Sequence, residues 1–555
     1  MSDQLSFIPL GGIGDVTKNM YVYEYGNEIL IVDCGLGFAD ETMLGVDLLL
    51  PDISYLQQTK KRIVGMVFTH GHEDHVGALP FILPQLLSGK QQFKLYGSPF
   101  TAAVANEKLK EFGVTERVET VHFDNPRVNI GSFQVSFIRV THSIPDTAHL
   151  FIKSPIGNFY HGSDFKFDDT PSDGKISDYK AIEDAGREGV HCLLSDCLGS
   201  ERPGHMPTET TLLPMFEQEI AKTEGKCIVT TYSSNVARLN QVIHVSEKLG
   251  RRVCFAGRSL TKIKDIAQRL GYLKMGPHTE IQLDELAKYP PNQVTMFVAG
   301  SQGQEASALV RIANGAHREI SLAEEDTVIF SADPIPGNET LMYELIDTLA
   351  KRGARVLYSP LRKDLHVSGH GYQEELAKLM SLTKPKSMIP IGGNFRHMVG
   401  YRNIAKNLGY KKSDVLLIED GQEIIFSKVG IRFGRRLPAK QVYVDEISGE
   451  EVESFVLRDR QRLSEGGIVI VLGEIDAANG QLATPPDLII RGFLVDEQKR
   501  LTQHVFQDIK EALKNRTGRI TNWLYVRKMV GETVERRIFK DLKRRPLVLP
   551  VIIEV

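Results

Sequence analysis

Four side chains that favour metal ions, His70, His72, Asp74 and His75, fall within six residues, and nothing else in the chain constrains its fold as tightly. They follow the strand-like run RIVGMVFT and precede the helical run ALPFILPQLL, so they sit where a strand hands over to a helix. Alternate residues beyond a strand end can point the same way, which lets His70 and His72 share one cation while Asp74 and His75 face a second. A lone histidine is more often a satisfied core residue than a ligand. Three histidines and an aspartate at these offsets would arise from composition in on the order of one chain in a thousand. Imidazole with carboxylate suits Zn²⁺ foremost, with Mn²⁺ as its competitor. The lack of a neighbouring cysteine in this turn favours a hydrolytic centre over a closed structural zinc site.

Two ions need further ligands. The sequence offers His142 after FQVSFIRVT, Asp164 in YHGSDF and His397 in IGGNFRHM, each at the end of an apolar strand-like run. Singly these are weak signals, because an aspartate ending a strand is more often a turn residue. With the histidine turn they complete two coordination spheres if Asp164 bridges, an arrangement that activates water for hydrolysis.

A chain of 555 residues is too long for one core, which predicts two or three domains. Its first part is β-rich: YVYEYGNEILIVDCG reads as two strands around Gly26-Asn27, with the helix TAAVANEKLKEFG ending at Gly113. From residue 206 the pattern becomes strict alternation, from TETTLLPMFEQEIAKTEG and CIVTTYSS through to TLMYELIDTLAKRG and ARVLYS. Short apolar strands between amphipathic helices predict a parallel sheet covered on both faces. The expected division is residues 1–205, an inserted block 206–357, a return to the first domain over 358–430, a linker at 431–450 without clear periodicity, and a small α+β unit over 451–555. That unit holds GGIVIVLGEID, DLIIRGFLVDE, the helix HVFQDIKEALKNR, the charged segment GETVERRIFKDLKRR and the strand PLVLPVIIEV.

The formal net charge of -3 excludes a globally basic nucleic-acid binder, so any such partner needs a local positive groove. Five cysteines without paired CxxC spacing indicate buried free thiols rather than a disulfide framework. The N-terminus MSDQLSFIPLGG carries an acid where a signal peptide carries bases, and no stretch resembles a membrane span; a cytoplasmic protein with no membrane contact is expected.

The histidine turn and its followers resemble the metallo-β-lactamase fold. The inserted block, with Ser195-Asp196, HVSGHG and His397, is similar to the β-CASP subgroup of nucleic-acid nucleases, and within it to the ribonuclease J family over nearly the whole chain. The resemblance implies an α/β architecture: an αββα sandwich with an inserted α/β β-CASP domain and a small α+β C-terminal domain. It implies two divalent ions, one held by His70, His72, His142 and Asp164, the other by Asp74, His75, Asp164 and His397. His370, oriented by Asp196, is implied as the acid that protonates the departing 3′ oxygen. Two Gly-rich turns before helices, AGSQGQE and HVSGHG, are implied to hold the 5′-monophosphate of single-stranded RNA. Ser301, Gly303, His366, Ser368 and His370 are the implied contacts, with Arg258 beside them. A ribonuclease with both 5′ to 3′ exonuclease and endonuclease activity, acting in RNA maturation and mRNA decay, is the expected function. A homodimer or homotetramer and partners in an RNA-decay complex are also implied.

Three segments depart from the family pattern. SDCLGS stands where the usual segment ends in Ser-Thr-Asn, SSNVAR lacks a histidine often found there, and GGNFRHM varies the surroundings of the last ligand. Competing readings are another metallo-β-lactamase-fold hydrolase, a β-CASP DNA nuclease, or a binding protein with a spent site. The first needs no inserted block, and the last would show lost ligands.

Overall fold

The computed structural model describes residues 4–40, 42–88, 92–335, 337–445, 451–476, 478, 481–514 and 522–555. The chain forms two compact units, Met1–Phe38 with Leu49–Val442, and Ala39–Leu48 with Tyr443–Val555.

In the first unit three antiparallel strands, β1 (Gln4–Gly11), β2 (Met20–Tyr25) and β3 (Glu28–Val32), are extended in parallel by β4 (Arg62–Phe68), β5 (Lys94–Gly97) and β6 (Val118–Thr120). A second sheet follows, with β7 (Arg127–Ile130), β8 (Phe133–Arg139), β9 (Ala148–Ser154) and β10 (Gly157–Gly162) antiparallel and β11 (Cys192–Asp196) parallel to β10. The chain then leaves to build a five-stranded sheet from β12 (Cys227–Thr230), β13 (Arg252–Ala256), β14 (Val294–Val298), β15 (Thr327–Phe330) and β16 (Arg355–Leu357), every pairing of which is parallel. It returns with β17 (Ser387–Ile391), which pairs with β11, and with β18 (Gln422–Ser427) and β19 (Gly430–Arg436) on the β1 edge of the first sheet. The spatial orders are β19-β18-β1-β2-β3-β4-β5-β6, β17-β11-β10-β9-β8-β7 and β13-β14-β12-β15-β16.

The first two sheets share one core. Phe133, Val135 and Phe137 alternate along β8 and meet Leu5, Phe7 and Tyr23 of the facing sheet, with the Tyr23 and Phe159 rings edge to face at 5.7 Å. The predicted strand pair around Gly26-Asn27 is present, but a polar member of its first strand is interior too. Glu24 is 2% exposed and is held by Lys61 and Tyr55, so period-two alternation here does not mark a solvated face. The predicted helix over TAAVANEKLKEFG runs Pro99–Glu111, and Gly113 takes φ +71 just beyond its end.

Two sequence expectations change. Within the stretch expected as a linker, Gly430–Arg436 forms β19 as an edge hairpin with β18; most of its side chains are exposed, so the strand leaves no apolar period. Residues 446–450 of that stretch lie outside those described. The charged segment GETVERRIFKDLKRR is mostly helix, Trp523–Leu542, with Val526, Val530, Val534 and Ile538 buried at four-residue intervals beneath its charges.

In the second unit, β20 (Ile468–Ile475), β21 (Asp487–Arg491) and β22 (Leu547–Glu554) form a sheet in the order β21-β20-β22. Val469 and Val471 pack with Leu501 and Val505 of the helix Val495–Lys514 and with Val530 and Val534 of Trp523–Leu542. The last two residues of the predicted helix HVFQDIKEALKNR, 515 and 516, lie outside the described residues. Among the described residues no helix is long and apolar enough to cross a membrane.

Candidate metal centre

The histidine turn leaves β4 at Phe68. His70 and His72 lie on the loop, and Asp74 and His75 on the helical turn Glu73–Val76 that His72 opens with extended φ/ψ. The turn after β3 and the residue before β2 clamp this segment: Cys34 N donates to His75 O at 2.8 Å, Leu36 N to Glu73 O at 3.0 Å, and Asn19 N to Asp74 O at 3.0 Å. Gly35 is required there, because a Cβ would lie 1.6 Å from Asp74 O. His142 follows β8, and Asp164 follows β10, so strand ends of both sheets aim into one cavity.

At its centre stands one carboxylate oxygen. Asp164 Oδ2 lies 3.7 Å from His70 Nε2, 3.5 Å from His75 Nε2, 3.8 Å from His142 Nε2 and 3.9 Å from His370 Nε2. His72 turns its Nδ1 inward, 3.1 Å from His70 Nε2 and 3.2 Å from His142 Nε2. Burial keeps His70 and His142 well below the usual imidazole range and brings His72 down to about 3, so all three rings are neutral at pH 7. Three nitrogens in mutual contact, with no proton charge on any ring, are what a cation would satisfy. Burial alone would raise Asp164, yet the surrounding imidazoles, His75 foremost, hold it well below the usual carboxylate range.

Each ring's other nitrogen is engaged, which fixes orientation. His75 Nδ1 lies 2.8 Å from Asp33 Oδ2, His142 Nδ1 2.6 Å from Gly369 O, and His70 Nδ1 3.1 Å from Thr69 Oγ1. Asp33 is itself held by Thr69, through N–H at 2.8 Å and Oγ1 at 2.8 Å, and takes φ +61 to reach it. Sequence reasoning missed Asp33. Its signal is an acid ending a strand that pairs in parallel with the one carrying the histidine turn, Val32 opposite Val67.

Among the described residues, potential ligand atoms within 4.8 Å of one another form three groups: His70, His72, His142 and Asp164; His70, Asp74 and His75; and Asp164, Asp196 and His370. The first is the ligand set expected for one ion. Asp74 and His75 associate with His70, whereas His397 belongs to none of the three groups. Its Nε2 lies 3.3 Å from Glu201 Oε2 beside Arg396, while its Nδ1 accepts from Asn394 N at 3.2 Å. The donor set fits divalent ions: the neutral imidazoles of His70, His72 and His142, the carboxylates of Asp74 and Asp164, and outward nitrogens already bound to oxygen partners.

His370 donates through Nδ1 to Asp196 Oδ2 at 2.7 Å and turns Nε2 toward Asp164. Burial lowers an imidazole, but the carboxylates of Asp196 and Asp164 outweigh it and raise His370 to about 9. Two glycines seat its loop. A Cβ on Gly369 would lie 2.6 Å from His142 Cε1, and one on Gly199, in the departing SDCLGS segment, 1.9 Å from Gly371 O. The Gly371 N–H donates to Phe165 O at 2.7 Å.

The other expected contacts lie at the carboxyl edge of the five-stranded sheet and along the loop that follows β16. Ser301 is buried, Gly303 takes φ +77 in a turn that a Cβ would block against Leu341 O, and Arg258 is exposed at the first turn of the helix Arg258–Arg269. His366 Nδ1 lies 3.3 Å from Ser331 O, and Ser368 Oγ accepts from His370 N at 3.1 Å. A buried polar chain links these regions. Lys166 Nζ donates to Glu209 Oε1 at 2.8 Å, Arg238 donates to Glu209 Oε2 at 3.0 Å and to Ser331 O at 2.9 Å, and Ser331 Oγ donates to Leu365 O at 2.5 Å. Burial would raise Glu209, yet Arg238 and Lys166 bring it down to about 2.

Comparison with known proteins places names on these parts. Residues 13–86 match the metallo-beta-lactamase superfamily, 224–349 the ribonuclease J beta-CASP domain, 360–415 the Zn-dependent metallo-hydrolase RNA specificity domain, and 455–555 the ribonuclease J C-terminal domain. Ribonuclease J2 of Bacillus subtilis is 34% identical over 557 residues, covering 100% of this chain and 99% of that one. Ribonuclease J of Thermus thermophilus is 37% identical over 560 residues, covering 100% and 96%. A solved protein of unknown function from Enterococcus faecalis V583 shares the fold, with a TM-score of 0.54 at 16% identity over 76% of this chain and 100% of that one.

Proposed function

Because this chain belongs to the ribonuclease J family and is a metal-dependent ribonuclease, we propose that it shortens single-stranded RNA from a 5′-monophosphate end and also cuts internally, in RNA maturation and mRNA decay. The observation that carries the reading is the position of Asp164 Oδ2 among four imidazoles, one of which, His370, is paired with Asp196.

His70, His72, His142 and Asp164 would hold one divalent ion, and Asp74, His75 and Asp164 would take part in holding a second, with His397 closing that sphere by leaving Glu201. Zn²⁺ suits this donor set best and Mn²⁺ next. Such ions, when bound, polarise water and the scissile phosphate. The chain's own residues do the rest. Asp33, Thr69 and Gly369 O keep the ligand rings turned inward. Water adds to phosphorus, the P–O3′ bond breaks, and His370 passes its Nε2 proton to the departing 3′ oxygen while Asp196 holds Nδ1–H; the proton that the attacking water gives up passes to solvent, from which His370 regains its own. The products are a 3′-hydroxyl and a 5′-phosphate. Ser301, His366 and Ser368, with Arg258 beside them, are assigned to the 5′ phosphate, so that binding there sets the step of exonucleolytic cutting.

The test is metal-stripped protein resupplied with Zn²⁺, Mn²⁺ or Mg²⁺ on end-labelled RNA bearing 5′-monophosphate, 5′-triphosphate or 5′-hydroxyl, with a DNA control. Mononucleotides released from the 5′ end support the exonuclease and internal fragments the endonuclease. Equal exonuclease rates on monophosphate and triphosphate ends would remove the phosphate assignment.

A further inference from the structure

In the five-stranded sheet the chain passes from β12 beyond β14 to β13, comes back through β14, and crosses to β15 on the other side. The loops after the neighbouring strands β12 and β15 therefore diverge at the carboxyl edge, the place where open parallel sheets form a ligand crevice. The loop after β15 carries Asp333 into this crevice, and its backbone is pinned by both neighbours. Tyr232 OH donates to Asp333 O at 2.6 Å and Gln302 Nε2 donates to the same oxygen at 3.1 Å. The same Gln302 amide lies 3.3 Å from Ser301 Oγ, and the Tyr232 ring stands 6.0 Å from that of His366. Asp333 thus shares its surroundings with Ser301 and His366.

Its side chain is not explained by the fold. Asp333 Oδ1 is buried without a hydrogen-bond partner, and among the described residues no ion pair reaches Asp333. The nearby cation Arg238 is engaged by Glu209 and Ser331. Burial drives His366 down to about 4, so its ring is neutral at pH 7 and does not offset the acid. A carboxylate without a counter-charge stands where a terminal phosphate is read.

We propose that Asp333 is a specificity-determining residue for the RNA 5′ end, selecting by charge: its carboxylate opposes each added negative charge, so that triphosphate ends are excluded by repulsion rather than by size. The proposal rests on the assignment of Ser301 and His366 to the 5′ end. Like charges that share a partly desolvated crevice repel far more than in bulk water, and a triphosphate brings more charge than a monophosphate.

The experiment compares kcat/KM of the full-length enzyme with Mn²⁺, as wild type, Asp333→Asn, Asp333→Ser and Ser301→Ala, on one RNA carrying 5′-hydroxyl, 5′-monophosphate or 5′-triphosphate. Thermal melting controls for folding. Both Asp333 variants should gain about tenfold on the triphosphate end, gain less on the monophosphate, and shift least on the hydroxyl, so that the monophosphate to triphosphate ratio falls. An unchanged ratio in both folded variants overturns the proposal. If that happens while Ser301→Ala weakens the preference for monophosphate, the 5′-end assignment stands and the role of Asp333 alone falls. If wild type and every variant ignore the 5′ end, both fall together.

Discussion

Asp33 Oδ2 accepts the Nδ1–H of His75 at 2.8 Å; the two residues stand 42 positions apart, Asp33 at the end of β3 and His75 on the helical turn that follows its parallel neighbour β4. The bond leaves Nε2 of His75 facing Asp164 and fixes which ring nitrogen is free for an ion.

Replacing Asp33 should therefore weaken metal binding rather than chemistry alone. Asp33→Ala should lower ion affinity about 10- to 100-fold. Asp33→Asn should do no better if its amide turns a donor toward Nδ1–H. Competition with a chromophoric chelator measures this directly, and excess metal should restore much of the activity; unchanged affinity in both variants would contradict the orienting role.

Asp196 and His370 act as a unit through their 2.7 Å hydrogen bond. Asp196→Asn and His370→Ala should each lower turnover about 10²- to 10⁴-fold, and the double variant should lose little more than the worse single one. Single-turnover rates on one RNA, arranged as a double-mutant cycle, give the answer. Multiplicative losses would mean that the two residues serve separate steps.

Gly199 lets the His370 loop approach, since a Cβ there would lie 1.9 Å from Gly371 O. Placing a side chain there, as in Gly199→Asn, should then displace the loop and lower kcat about hundredfold with KM little changed. Turnover near wild type would show that the loop shifts without cost to the reaction.

Glu209 ties a pH dependence to stability. Its folded value of about 2 lies below the ordinary 4.5, so its contribution is fully present above pH 4.5 and is lost as pH falls toward 2. Glu209→Gln, which leaves Lys166 and Arg238 buried without their shared carboxylate, should cost about 3 to 5 kcal/mol at pH 7. The gap between wild type and variant, followed by denaturant unfolding, should narrow on acidification. A gap independent of pH between 7 and 3 would show that the carboxylate charge is not what the site uses.

Chelation should lower the melting temperature as well as abolish activity, because the ligand nitrogens crowd to 3.1 and 3.2 Å without a cation between them. With free ion a thousandfold above its dissociation constant the added stability is about 4 kcal/mol. His142→Ala should lose most of that increment, which calorimetry with and without Zn²⁺ reads out independently of RNA cleavage.

The histidine turn, the strand ends at His142 and Asp164, and the parallel block were legible because each is written in adjacent residues: a ligand cluster, a strand followed by a polar residue, an alternation of periods. Asp33 was not, since what makes it matter is the pairing of β3 with β4, a relation between distant segments. Gly199 and Gly371 likewise meet only after the inserted block has folded, and their sequence neighbours say nothing of a 1.9 Å approach. The strand Gly430–Arg436 escaped because an edge strand with exposed side chains needs no apolar pattern. His397 lies beyond a predictable strand, in the first turn of the helix Phe395–Asn407, yet it turns toward Glu201 and stands outside the histidine groups, which its position in the chain does not reveal.

The chain of contacts from Lys166 through Glu209 and Arg238 to Ser331 and Leu365 has a consequence for transplantation. The inserted block looks like a cassette that could be exchanged between relatives to change which RNA ends are accepted. It is not free-standing. A donor block must arrive with its own Glu209 and Arg238 and find a lysine waiting at position 166, or the recipient's buried Lys166 loses its 2.8 Å partner and keeps Asp168 at 3.7 Å. Recombination of such enzymes is therefore constrained at a seam three residues wide.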